Sequence, residues 1–128
     1  MGTAGVRSEL LDEEPECYDF VLQFLTELPE RLTTIGRAVS AGETAVAAKL
    51  AHQLVGAAGT FGFPDFAGIV RRVEHSLPEG TGEELRRLIE DVMQHASTLA
   101  TYREELRRYV PATEDKVSGQ TNNRSFQS

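Results

Sequence analysis

Residues 43–61 read ETAVAAKLAHQLVGAAGTF, and their spacing decides the fold. Wound as a helix at about 100° per residue, Leu50, Leu54 and Phe61 fall roughly 160–200° away from His52, with Ala47 and Ala57 beside them. The sector around His52 holds Ala45, Ala48, Lys49, Val55, Gly56 and Gly59. The large apolar residues therefore face a core, and the histidine faces outward among mostly small residues. Each glycine inside a helix costs about 1 kcal/mol relative to alanine. Gly56 and Gly59 on the histidine's own face answer to one of two needs: clearance for an approaching protein surface, or helix–helix packing through small residues. Clearance is favoured, because the opposite face already supplies the packing residues.

Working outward, the same periodicity recurs on both sides. Before the histidine helix, Phe20, Val21, Phe24, Leu25, Leu28, Leu32, Ile35 and Val39 recur at three and four, which predicts an amphipathic helix over about 16–39. Pro29 lies within it and removes a backbone donor, so a kink or local break is expected there. Ser40-Ala41-Gly42 reads as its terminating turn. After the histidine helix, Gly62 closes as a left-handed cap and Pro64 opens a third helix to about Leu77, with Phe66, Val70, Val73 and Leu77 inward. Residues 78–82 break the chain, and Thr81 and Glu84 have capping-box spacing. A fourth helix follows to about Tyr109, with Leu85, Leu88, Ile89, Val92, Ala96, Leu99 and Leu106 on its inner face.

Four long amphipathic helices with short connections predict an all-α fold, an antiparallel up-and-down four-helix bundle. A short extra N-terminal helix is expected over Ser8–Glu13, with Leu10 and Leu11 to pack. The organisation read from the chain is an N-terminal segment over 1–14, partly ordered and loose before Arg7. The bundle spans 15–110, and a disordered polar tail spans 111–128.

Composition narrows the function. The chain has 128 residues, enough for one domain with an ordinary core. Its 20 acidic and 13 basic residues give a formal charge of −7, which argues against a nucleic-acid binder or docking on anionic membranes. Cys17 is the single cysteine, so no internal disulfide forms; it reads as a small buried residue near a helix start. No apolar run approaches a membrane span, and Met1–Glu16 does not look like a signal peptide. A cytoplasmic, monomeric protein is the expectation.

An exposed neutral imidazole keeps a nitrogen lone pair free and is a nucleophile. Alone it does no triad chemistry, but it accepts a group from a partner that brings the rest of a site. The stretch Ala51-His52-Gln53-Leu54-Val55-Gly56-Ala57-Ala58-Gly59-Thr60-Phe61-Gly62 resembles the active helix of histidine-containing phosphotransfer (HPt) domains, whose pattern is roughly A-H-x-L-K-G-x-A-x-x-x-G. Ala51, His52, Leu54, Gly56, Ala58 and Gly62 match it. The resemblance extends over about 15–110 through the order and lengths of the helices.

The resemblance implies a phosphorelay carrier rather than a self-contained enzyme. His52 takes a phosphoryl group on a ring nitrogen and exchanges it with the aspartate of a response-regulator receiver domain; a sensor histidine kinase is the other partner class. The receiver brings Mg²⁺, and no cofactor or metal is expected in the isolated domain. Lys49 and Gln53 are expected to support the phosphoryl group, and Ala48, Val55, Gly56 and Gly59 to form the partner contact. The family's lysine three residues after the histidine is Val55 here. A cation there would hold phosphoryl oxygens; Lys49, three residues before His52, either replaces it or is an ordinary solvated lysine.

Two other classes stand beside this reading. A transfer-deficient module would bind and sequester a receiver or kinase domain, as the loss of the lysine allows. A di-iron bundle needs Glu-x-x-His pairs, but Lys49, Arg72 and Val92 precede His52, His75 and His95 by three. His75 and His95 therefore read as surface or boundary residues. No Gly-rich phosphate loop or nucleotide motif is present. Arg71-Arg72 and Arg103 to Arg108 read as solvated helix faces.

Overall fold

In the computed structural model, residues 7–77 and 82–108 are described. Helix α1 spans Glu9–Glu13 and is followed by a 3-10 turn at Pro15–Cys17. Helices α2 (Tyr18–Ser40), α3 (Thr44–Thr60), α4 (Pro64–Ser76) and α5 (Gly82–Arg108) follow among the described residues. The all-α bundle expected from periodicity is what forms. The residues before Arg7, the break with its Thr81–Glu84 capping box and the polar tail from Pro111 lie outside the described residues.

α3 packs on α4 and α2, and α5 packs on α4 and α2. Their apolar faces meet in one core in which Val21, Ala47, Ala51, Leu54, Ala58, Phe66 and Leu99 are wholly buried. Ends meet as well as faces. The Phe24 ring of α2 stacks on Phe61 beyond α3, with centroids 5.4 Å apart, and the Tyr18 hydroxyl at the start of α2 donates to the Leu106 carbonyl near the end of α5.

Two glycines make the corners. Gly42 and Gly62 have φ of 76° and 93°. At each, the glycine N–H and the following N–H bond back to carbonyls of the last helical turn: Gly42 to Val39 and Glu43 to Ala38, then Gly62 to Gly59 and Phe63 to Ala58. These are paired Schellman closures, and they satisfy carbonyls the helix itself leaves open. Pro64 then starts α4 in the first turn, where its missing N–H costs nothing.

The second corner is clasped from outside. Ser8, only 1 % exposed, caps α1 by accepting the Leu11 N–H at 3.3 Å. Its hydroxyl donates to the Phe61 carbonyl at 2.6 Å, its N–H donates to the Tyr102 hydroxyl at 3.0 Å, and the Glu9 N–H donates to the Gly62 carbonyl at 2.8 Å. A Cβ on Gly62 would sit 2.6 Å from the Ser8 hydroxyl oxygen and 2.7 Å from the Glu9 nitrogen. Glycine is therefore required there for its backbone angle and for the close approach together. Burial holds the Tyr102 hydroxyl above the usual tyrosine range, against the Ser8 N–H that lowers it.

Three expectations need correction. α2 is helical through Pro29, so of the kink or break expected there the break does not occur. The helix buries Val21, Phe24, Leu25 and Leu28 before the proline and Ile35 and Ala38 after it. At about 1.5–3 kcal/mol for each large side chain, that burial outweighs the roughly 3 kcal/mol a proline costs inside a helix. Phe20 does not face inward but is 60 % exposed. Cys17 is half-buried rather than buried; partial burial and the Glu14 carboxylate, which accepts its S–H, push the thiol up.

Candidate functional site

His52 stands in the middle of α3, on a packed helix rather than a loop. Its side chain is 75 % exposed. Ala47, Ala51, Leu54, Val55 and Ala58 are buried on the other arc of the same helix, so the backbone carrying His52 is fixed by the core. The histidine itself contributes little to that core.

The ring does not stand alone. Its Nδ1 lies 2.9 Å from Oε2 of Glu74, which reaches across from α4. Glu74 is a half-buried carboxylate, its side chain 20 % exposed. An ionised carboxylate only accepts hydrogen bonds. In the neutral ring the proton therefore sits on Nδ1, and the Nε2 lone pair is left without a partner among the described residues. A neutral ring in this tautomer offers one nucleophilic nitrogen, Nε2.

Gly56 and Gly59 share the exposed arc with His52, and a Cβ built on either meets nothing within 4 Å. The two glycines pack against no neighbouring helix, so the helix–helix packing reading fails and the clearance reading stands. They leave a low shelf one and two turns from the ring.

The other expected residues divide. Lys49 is exposed and makes no ion pair or hydrogen bond with the ring. Gln53 is exposed and lines a shallow groove between α3 and α2 with Leu50, Arg31 and Ile35. It is turned to the α2 side of the ring and does not bond to it. Ala48 is half-buried, at the edge of the arc. Val55 is a correction: at 7 % exposure it belongs to the core cluster, not to the contact surface. The buried arc of α3 extends to within one residue's rotation of His52, so position 55 lies under the neighbouring helices.

Glu74 is the residue the sequence reading missed. Its signal is a carboxylate in the stripe Ala67–Val70–Glu74–Leu77, whose other three members are buried. Reading the inner face of α4 as Phe66, Val70, Val73 and Leu77 passed over it. His75 is exposed, and His95 is half-buried with its ring 5.6 Å from that of Phe66; neither approaches the site in any hydrogen bond. Among the described residues no three His, Cys, Asp or Glu side chains converge to hold a metal ion.

Comparison with known families agrees with this geometry. A family model described as the Hpt domain matches residues 19–110. The chain belongs to the Hpt-domain family. Hpt domains are phosphocarrier modules of two-component signalling rather than enzymes in the ordinary sense, and they interact with response-regulator receiver domains and kinases. No curated protein and no solved structure shows a significant match. The matched span takes in α2 to α5 and excludes α1 and the 3-10 turn, so the Ser8 clasp lies outside what this Hpt domain shares with the family model. No helix among the described residues is long and apolar enough to cross a membrane.

Proposed function

We propose that this Hpt domain is a phosphorelay carrier in which Nε2 of His52 exchanges a phosphoryl group with the aspartate of a receiver domain. The observation that carries the reading is the pairing of an exposed ring with a half-buried carboxylate on Nδ1: that nitrogen is occupied, and Nε2 has no partner among the described residues. The open shelf at Gly56 and Gly59 lets another protein's surface come close to that nitrogen.

In-line transfer needs the acceptor nitrogen, the phosphorus and the aspartate oxygen on one line. The bundle supplies a rigid nucleophile. The receiver supplies the aspartate and the Mg²⁺ that offsets charge on the phosphoryl oxygens. A sensor kinase is the other partner class, and the domain works as a monomer in the cytoplasm. Lys49 and Gln53, on either side of the exposed arc, contact the phosphoryl group or the partner only once a partner closes the site.

The test is transfer from phosphorylated receiver domains, read as acid-labile label on the wild type and on His52→Gln. Label on the wild type alone is the expected result. A receiver that binds this domain and passes it no label favours instead a module that sequesters its partner, the reading suggested by valine in place of the family's lysine.

A further inference from the structure

The bonds of the Ser8 clasp land on the two peptide groups that close α3. Ser8 is buried, and its hydroxyl is used twice: it accepts the Leu11 N–H and donates to the Phe61 carbonyl. A peptide group is planar, so its carbonyl and the next residue's N–H move as one body. The Phe61 carbonyl that takes the Ser8 hydroxyl shares its plane with the Gly62 N–H, which donates to the Gly59 carbonyl at 3.2 Å. The Gly62 carbonyl that takes the Glu9 N–H shares its plane with the Phe63 N–H, which donates to the Ala58 carbonyl at 2.8 Å. Two rigid planes therefore carry the clasp on one edge and the end of α3 on the other. Ser8 is itself held from α5, where its N–H donates to the Tyr102 hydroxyl.

The part of α3 that these planes close is the part least able to hold itself. Up to residue 55 the helix is anchored by Ala47, Ala51, Leu54 and Val55, all buried; within the helix beyond that point only Ala58 is. Gly56 and Gly59 lower the helix propensity there, and Thr60 is exposed. The same two glycines form the open shelf beside His52. Resting on the carrier reading above, we propose that Ser8 is a positioning residue for this shelf: it keeps the last turns of α3 ordered, and so sets how well a receiver domain docks beside His52 without touching the chemistry of the ring. A surface that is already ordered loses less conformational freedom when a partner closes on it. His52 stands roughly three turns before the corner, on the anchored half of α3, with its ring on Glu74. Docking and ring reactivity are thus held by different contacts. Ser8 also lies outside the span matched to the family, so this control belongs to the chain's own N-terminal segment.

The intact chain is compared as wild type, Ser8→Ala and Tyr102→Phe, with circular dichroism to show that each is folded. Ser8→Ala removes the hydroxyl bonded to the Phe61 carbonyl. Tyr102→Phe keeps that hydroxyl and removes only the acceptor of the Ser8 N–H, so it is the milder variant and decides the matter should Ser8→Ala not fold. Amide hydrogen exchange reads the order of the corner directly. In Ser8→Ala the amides of Phe61, Gly62 and Phe63 are expected to exchange about tenfold faster, beyond any change at Ala51, Leu54 and Val55, which report opening of the core. Transfer then divides. Labelling of His52 by phosphoramidate, a small donor that needs no docking surface, is unchanged, while KM for the phosphorylated receiver rises about three- to tenfold at unchanged kcat. Tyr102→Phe moves exchange and KM in the same direction by less. Corner amides that exchange no faster than those of the core overturn the inference, as does an unchanged receiver KM with faster exchange. A fall in phosphoramidate labelling equal to the fall in transfer also overturns it, since Ser8 would then act on the ring itself. A wild type labelled by phosphoramidate and by no receiver removes the carrier reading and the docking half of the inference with it; exchange at the corner still decides whether Ser8 orders the shelf.

Discussion

Replacing Gly56 and Gly59 by alanine is expected to make this protein more stable. Both lie inside α3, and a Cβ on either finds open space. The new methyl groups therefore meet no clash and gain no buried contact, so the effect reduces to backbone propensity. Alanine is favoured over glycine in a helix interior by about 0.5–1 kcal/mol, much of it through the unfolded chain's lost freedom. Taken as two backbone-propensity effects on one helix, they sum to about 1–2 kcal/mol. For a domain near this size each kcal/mol moves the melting temperature by roughly 4–8 °C. Urea unfolding followed by circular dichroism at 222 nm measures it, with the midpoint moving and the slope unchanged. A double variant less stable than the wild type refutes the reasoning, because it would mean that at least one of the glycines packs against something. The same variants probe function: under the carrier reading Gly56→Trp folds but blocks transfer, so the glycines trade stability for access.

Other substitutions test the frame around the site. Gly62→Ala should cost about 2–4 kcal/mol by thermal or urea unfolding, since it places a side chain in a left-handed backbone and drives it into the α1 clasp. Val55→Lys, which restores the family's lysine, should destabilise the fold by about 1–3 kcal/mol because position 55 is in the core; a variant as stable as the wild type would show that the lysine reaches solvent at no cost. Tyr102 bears on alkaline pH. Burial raises its folded-state pKa above the ordinary 10.0, so its contribution to stability is fully present below pH 10.0 and is lost as pH rises toward the folded value. Tyr102→Phe should flatten that alkaline loss in unfolding measured at several pH values.

Much of this was legible in the chain. Gly62 and Pro64 marked the corner because each answers to a local backbone rule, and Ser8 to Glu13 was legible as a helix because Leu10 and Leu11 offered it a face to pack. His52 was legible because residue size around it is one-sided. What failed was the exact direction of the buried arc. The sequence reading centred the core of α3 on its largest residues, Leu50, Leu54 and Phe61. In the fold Ala47, Ala51 and Ala58 are wholly buried while Leu50 and Phe61 are only half-buried. Small residues allow α3 and α4 to approach closely, so the alanine side becomes the tighter contact, and Val55 goes with it. Residue size alone does not reveal which neighbour a helix will sit nearest. Glu74 escaped for a related reason: its partner is 22 residues away, and only the pairing of α3 with α4 brings the two together. The break expected at Pro29 does not form, because the local penalty is outweighed by the burial on both sides of it.

The Ser8 clasp has a consequence for where this protein should be cut. The span matched to the family begins at residue 19, yet Ser8 and Glu9 donate hydrogen bonds to the carbonyls of Phe61 and Gly62, and the Ser8 N–H is donated to Tyr102. A fragment trimmed to the family boundary would leave two corner carbonyls and a tyrosine oxygen to find water, and would uncover the narrow gap that only a glycine at 62 permits. The span shared with the family model and the hydrogen-bonded unit thus have different edges: the match begins at residue 19, and the bonds that close the second corner begin at Ser8.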